Sequence, residues 1–301
     1  MEKTIKLSNG VDMPTIGFGT YPLQGEVLHK AMLSALESGC SLIDTAHSYP
    51  NEESIGEELH KIFRKTKYRR EDIFLTSKIG DKLDSTGMPI GYYFYNSDSC
   101  PNKNHREVVF KQLDESLERL RTDYIDLLLI HWPYYDCLEE IWGTFEDAYK
   151  QGKVRAIGVS NCRVRHIERI VKGGATVMPM VNQIYVSPLN TQNEMIEYAN
   201  NHSIVIESYS PVMFLRSENS VTKSSGIRDI CGKYGKSLAQ VTLRWDLQRG
   251  IIPIPKSGTP SRVRENYDLF DFELTQEEMS FISSFNEDYQ YLPESKYCPG
   301  Y

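Results

Sequence analysis

Eight short apolar runs, separated by segments of helical period, constrain this chain more than any other feature. They lie at 16–20, 42–45, 73–78, 125–131, 154–159, 180–184, 205–209 and 251–255. Short apolar runs without alternation suit strands buried on both faces of a parallel sheet. Between them, apolar residues recur at helical spacing. Ile55, Leu59, Ile62 and Phe63 form one stripe, and Leu138, Ile141, Trp142, Phe145 and Tyr149 another. Each stripe gives a helix one face to lay on a sheet. Eight strands interleaved with helices favour a closed α/β barrel, the (β/α)8 or TIM-barrel class, over an open doubly wound sheet. A chain of 301 residues is long enough, since such barrels take about 250. No linker rich in Pro, Gly or Ser divides it, so a single domain over residues 1–301 is expected.

Two elements lie outside the eightfold pattern. At the start, Ile5 and Leu7 alternate with polar residues, Asn9-Gly10 supplies a tight turn, and Val11 and Met13 resume the alternation. That predicts an N-terminal β-hairpin. Near the end, Thr275 and Glu278 form a capping box, and Leu274 with Met279 a staple. They predict an extra C-terminal helix. Residues 80–104, containing Met88-Pro89-Ile90-Gly91-Tyr92-Tyr93-Phe94-Tyr95, make an unusually long connection after the third strand. This segment either contributes to the barrel's C-terminal rim or packs outside as a hairpin or helix.

The net charge of −7 offers no basic excess for neutralising nucleic-acid phosphates. It leaves room for a local site for one small anion. The six cysteines, at 40, 100, 137, 162, 231 and 298, are irregularly spaced and include no Cys-x-x-Cys pair. Free thiols are expected, with neither a disulfide framework nor a metal site. Residues 1–10 show no apolar leader, and no run is long enough to span a bilayer. The expectation is a cytoplasmic protein without membrane or nucleic-acid partners, a monomer or weak dimer.

The chemistry collects at strand ends. Asp44 ends the second run, Lys78 the third and His131 the fourth, and Tyr49 follows just after the second. On a barrel all four project toward the same C-terminal mouth. A free tyrosine titrates near pH ~10, too high for easy proton donation at neutrality. An ammonium beside it favours the phenolate. Lys78 can supply that charge, Asp44 can hold Lys78 in place, and His131 can orient a carbonyl beside the Tyr49 hydroxyl. Singly, each residue has a structural explanation, as cap, rim packing, surface charge or core histidine. Their joint placement points to a site that protonates an oxygen while the attached carbon is attacked.

No Gly-x-Gly-x-x-Gly follows the first strand, so a Rossmann mode of dinucleotide binding is not indicated. Instead Pro255-Lys256-Ser257 ends the eighth strand, and Thr259-Pro260 has the form of an N-cap with proline at the first helical position. A helix N-terminus beside Lys256 and Arg262 suits a phosphate.

At this point the chain resembles the aldo-keto reductases, in their bacterial 2,5-diketo-gluconate reductase-like type. The resemblance rests on Ile43-Asp44-Thr45-Ala46-His47-Ser48-Tyr49-Pro50-Asn51-Glu52, Leu75-Thr76-Ser77-Lys78 and Ile130-His131-Trp132-Pro133. It continues through Ile157-Gly158-Val159-Ser160-Asn161, Asn182-Gln183, Ser208-Tyr209-Ser210-Pro211 and Ile254-Pro255-Lys256-Ser257. These motifs run in order over about residues 3 to 285. The resemblance implies hydride transfer from NADPH to an aldehyde or ketone, with no metal. Asp44, Tyr49, Lys78 and His131 match the catalytic positions, Tyr49 being the general acid. It further implies cofactor contacts from Gly19, Thr20, Asp44, Ser160, Asn161, Gln183, Tyr209, Ser210 and Pro211. Lys256, Ser257, Thr259, Arg262, Glu265 and Asn266 match the positions that hold the 2′-phosphate and adenine. Tyr21, Tyr49, Ile79, His131 and Trp132 match positions that face substrate.

The chain departs from the family pattern in places. Pro50 replaces a common glycine, and Ile184-Tyr185-Val186-Ser187-Pro188 lacks a frequent glutamate and histidine. The stretch between Lys78 and His131 is long, and the loop after Pro211 is compact. These differences bear on substrate choice. The tail carrying Tyr289, Tyr291, Tyr297 and Tyr301 either closes one side of the pocket or frays. Two other functions fit the pattern less well. One is an NADPH-binding regulatory subunit with little turnover. The other is a barrel enzyme acting on a phosphorylated metabolite.

Overall fold

The computed structural model describes residues 3–83, 89–92, 105–133 and 137–292. The chain opens with strands β1 (Thr4–Lys6) and β2 (Asp12–Pro14), paired antiparallel with Ile5 opposite Met13. Gly10, at φ +86°, makes the turn between them. Asn9 donates to the Arg155 carbonyl at 2.9 Å, which holds this hairpin against the N-terminal end of the barrel.

Alternating strands and helices follow. They run β3 (Gly17–Gly19), α1 (Gly25–Glu37), β4 (Leu42–Asp44), α2 (Glu52–Lys65) and β5 (Phe74–Ile79). A small antiparallel pair comes next, β6 (Asp81–Leu83) with β7 (Pro89–Tyr92). Then come α3 (His105–Leu120), β8 (Ile125–Ile130), α4 (Leu138–Lys150), β9 (Val154–Ser160), α5 (Val164–Lys172), β10 (Val181–Tyr185) and α6 (Asn193–Asn201). The chain continues through β11 (Val205–Tyr209), α7 (Ser220–Lys223), α8 (Ser225–Tyr234), α9 (Leu238–Gln248), β12 (Ile252–Ile254), α10 (Pro260–Tyr267) and α11 (Gln276–Ser283).

Eight strands form one parallel sheet in the order β12-β11-β10-β9-β8-β5-β4-β3. The first and last members meet through the Gly19 N–H, which donates to the Pro255 carbonyl at 3.2 Å. The sheet is therefore a nearly closed (β/α)8 barrel. Glycines permit that closure. A Cβ at Gly17 would lie 2.5 Å from both Ile254 Cγ2 and Leu42 Cδ2, and one at Gly19 3.0 Å from the Ile254 carbonyl oxygen. Every predicted strand is present, with ends within one residue.

The helix stripes pack as their spacing requires. Ile55, Leu59 and Ile62 are buried on α2, as are Leu138, Ile141, Trp142 and Phe145 on α4. Burial of each such side chain contributes about 1.5–3 kcal/mol. The C-terminal helix begins at the predicted capping box: Thr275 Oγ1 accepts from Glu278 N, and Glu278 Oε2 from Thr275 N. The connection after the third barrel strand begins as the β6–β7 hairpin at the C-terminal end of β5. Met88, Tyr93, Phe94 and Tyr95 lie outside the described residues, as do Cys100, Cys298, Tyr297 and Tyr301. Among the described residues, no helix is long and apolar enough to cross a membrane.

Candidate active site

Parallel register aims one end of every strand at the same mouth, and the predicted quartet converges there. Asp44 ends β4, and Lys78 lies on β5 two residues past the Thr76 that pairs with Asp44. The Lys78 Nζ donates to both Asp44 carboxylate oxygens and to the Thr45 carbonyl, each at 2.8 Å. Both side chains are buried. Burial works against the Lys78 charge, but Asp44, with Tyr49 beside it, more than offsets that and holds the ammonium above its ordinary range.

Tyr49 stands on the loop between β4 and α2. Lys78 Nζ lies 5.1 Å from its ring centroid, and the His131 ring is 5.9 Å away at 70°. The loop is fastened from several sides. His47 N donates to the Lys78 carbonyl, Arg119 to the His47 carbonyl, and Tyr49 N to the Ala46 carbonyl. Asn51 ties this loop to the one after β3, donating to the Thr20 and Leu23 carbonyls at 2.9 Å each. The Thr20 hydroxyl in turn donates to the Asp44 carbonyl. The Tyr49 motif alone assigns Asn51 no role, because its partners come from a different loop.

Two other strands complete the floor. Gln183 on β10 pairs in register with Glu207 on β11 and with Ser160 on β9. Its amide nitrogen donates to Asp44 Oδ2 at 2.8 Å and to Glu207 Oε2 at 2.6 Å. Sequence reasoning missed Glu207. Its signal was a carboxyl in mid-strand, two residues before Tyr209 and so on the same face. Burial, then the Asp44 charge, pushes Glu207 up to about 8.

Ser160, Asn161 and Tyr209 form a hydrogen-bonded group. The Tyr209 hydroxyl donates to Asn161 Oδ1 at 2.9 Å, and Asn161 Nδ2 reaches the His131 carbonyl and the Ser160 hydroxyl. Asn161 (φ +57°) and Ser210 (φ +52°) both take the left-handed conformation as their strands end. Strain of that kind concentrates where side chains must be aimed. Burial raises the Tyr209 hydroxyl above its ordinary range, so it stays protonated as a donor.

The anion end differs from expectation in one respect. Thr259 occupies the N-cap position of α10, followed by Pro260, but its side chain caps nothing. The Thr259 N–H donates to Ser257 Oγ at 3.1 Å. The first-turn N–H groups therefore lack a side-chain cap. Lys256, Arg216 and Arg262 have no ion pair among the described residues. Burial, and then Arg216, pushes Lys256 down. Unpaired cations around an uncapped helix start fit a phosphate. Arg216, on the turn after β11, was not anticipated. Glu265 accepts from the Ser237 hydroxyl, and Asn266 is buried.

A cleft of about 520 Å³ opens beside the mouth, lined by Trp132, Asn161, Ile184, Tyr185, Tyr209 and Tyr291 among others. Tyr49 lies outside its walls. Tyr21 packs on Tyr49 at 4.9 Å between centroids. Ile79 is enclosed in the core. It follows Lys78 and faces the opposite side of β5, leaving the apolar wall to Tyr21 and Trp132. The tail closes one side: the Tyr291 ring lies 5.5 Å from that of Tyr185, tilted by 36°, and Asn190 donates to the Tyr289 carbonyl.

The chain matches the model of the aldo/keto reductase family over residues 15–287. It is 39% identical over 289 residues to the glyoxal reductase of Bacillus subtilis, covering 96% of this chain and 94% of that one. It is 35% identical over 292 residues to a methylglyoxal reductase of Escherichia coli, covering 96% of each. Among solved structures, a Bombyx mori aldo-keto reductase in complex with NADP matches with a TM-score of 0.83 at 32% identity, covering 97% of this chain and 95% of that one.

Proposed function

The chain belongs to the aldo/keto reductase family, and from that premise we propose that it reduces an aldehyde or ketone to an alcohol with NADPH, Tyr49 acting as general acid. The observation that carries this reading is the buried Lys78 ammonium, held by Asp44 and set 5.1 Å from the Tyr49 ring. The reduced nicotinamide, when bound, supplies the hydride. The chain's own residues do the rest. Tyr49 gives its proton to the carbonyl oxygen, and Lys78 stabilises the phenolate left behind. His131 orients that oxygen. Ser160, Asn161 and Gln183 would hold the carboxamide, and Tyr209 would contact the nicotinamide. Gly19, Thr20, Ser210 and Pro211 would add further contacts to the cofactor. Lys256, Ser257, Thr259, Arg262, Glu265 and Asn266 take the 2′-phosphate and adenine, which selects NADPH over NADH.

Two relatives are named for glyoxal and methylglyoxal, so short dicarbonyls are the first substrates to try. Tyr21 and Trp132 also suit carbonyl compounds with an apolar body. Intrinsic fluorescence, with Trp132 as reporter, tests the cofactor assignment. NADPH should quench at much lower concentration than NADH. Absence of quenching and of turnover with both nucleotides would overturn the proposal.

A further inference from the structure

The floor of the site contains a carboxyl with no part in the mechanism above. Glu207 is fully buried inside the barrel. Its Oε2 accepts from Gln183 at 2.6 Å, while its Oε1 has no hydrogen-bond partner among the described residues. The same Gln183 nitrogen donates to Asp44 Oδ2 at 2.8 Å. A primary amide nitrogen has two hydrogens, and here two carboxyls take both. Only the Gln183 amide oxygen remains to meet a ligand. Without Glu207, nothing holds the second hydrogen.

We infer that Glu207 is a positioning residue of this site, which fixes the end of the Gln183 amide that faces the mouth and sets how much of the Lys78 charge reaches Tyr49. The inference rests on the reductase reading. The charged groups facing Glu207 are Asp44 from β4 and Lys78 from β5, while β10 brings the neutral Gln183 and β12 brings no ionisable group. An ionised Glu207 would sit buried beside the Asp44 charge, with one oxygen unsolvated. Burial and Asp44 accordingly push it up to about 8, and it is protonated below that. Once ionised, it draws on Lys78 and raises it. Less positive field then reaches Tyr49, and its proton becomes harder to give.

Glu207→Gln keeps the shape and the acceptor but cannot ionise. Turnover against pH, each protein normalised to its own maximum, should fall through a break near pH 8 in the parent. In Glu207→Gln that break should vanish or move up by about one unit or more. Glu207→Ala, which removes the acceptor, should raise KM for NADPH about tenfold, and Gln should restore most of it. Unfolding of the ligand-free protein gives a readout without turnover. A carboxyl raised from 4.5 to about 8 contributes stability that is full below 4.5 and lost as pH rises through 8. The parent's urea midpoint should therefore fall relative to Glu207→Gln across that window. Identical pH profiles together with parallel stability curves would overturn the inference. A parent that binds NADPH but turns nothing over would instead overturn the reductase reading, and the stability curves would still decide the ionisation of Glu207.

Discussion

The Lys78 ammonium lies 2.8 Å from each carboxylate oxygen of Asp44, at the bottom of a mouth formed by barrel strands. Removing one partner of such a pair leaves an uncompensated buried charge, at about 3–5 kcal/mol. Asp44→Asn should therefore lower the urea unfolding free energy by that order as well as slowing turnover. Unchanged stability would mean that Lys78 is neutral in this site.

Arg262 has no ion pair among the described residues and sits in the first turn of α10. Charge-assisted hydrogen bonds contribute about 1.5–3 kcal/mol. Arg262→Ala should weaken NADPH by about ten- to a hundredfold and change NADH far less. Equal losses, measured by fluorescence titration, would rule out contact with the 2′-phosphate.

Closure of the barrel depends on Gly17, where an added Cβ meets Ile254 and Leu42 side chains at 2.5 Å. Gly17→Ala should cost about 1–3 kcal/mol by overpacking. An unchanged urea midpoint would show that the closure is looser than these distances require.

His166 is pushed down to about 3 by burial and by Arg165, Arg163 and Arg169 around it. The folded protein therefore keeps this imidazole neutral where an unfolded chain would protonate it. Its contribution is full above the ordinary value of 6.5 and is lost as pH falls toward 3. His166→Gln should flatten the acid limb of the stability profile, and a parallel limb in both proteins would contradict this.

The barrel was legible because its strands are buried on both faces and read as continuous apolar runs, bounded closely enough that each end falls within one residue. The convergence of the candidate quartet was legible for a related reason. Asp44, Lys78 and His131 are ionisable residues where apolar runs stop, and position on a barrel strand fixes which opening they face. Glu207 escaped because it looks like one polar residue inside a strand, and its meaning depends on Gln183 on the neighbouring strand and Asp44 across the lumen. Asn51 and Arg216 escaped because loop conformation, not period, decides what they reach. The start of α10 was legible as well: Thr259 stands at the N-cap and Pro260 at the first helical position, although the Thr259 side chain makes no capping bond.

The most direct test is to mix the protein and its Tyr49→Phe variant with NADPH and methylglyoxal, then follow nicotinamide absorbance. The parent should consume NADPH. The variant should bind the nucleotide with near-parental affinity and turn over about 10²–10⁴-fold more slowly. A Tyr49→Phe protein reducing the carbonyl at the parental rate would contradict the account, because the proton would then come from another group.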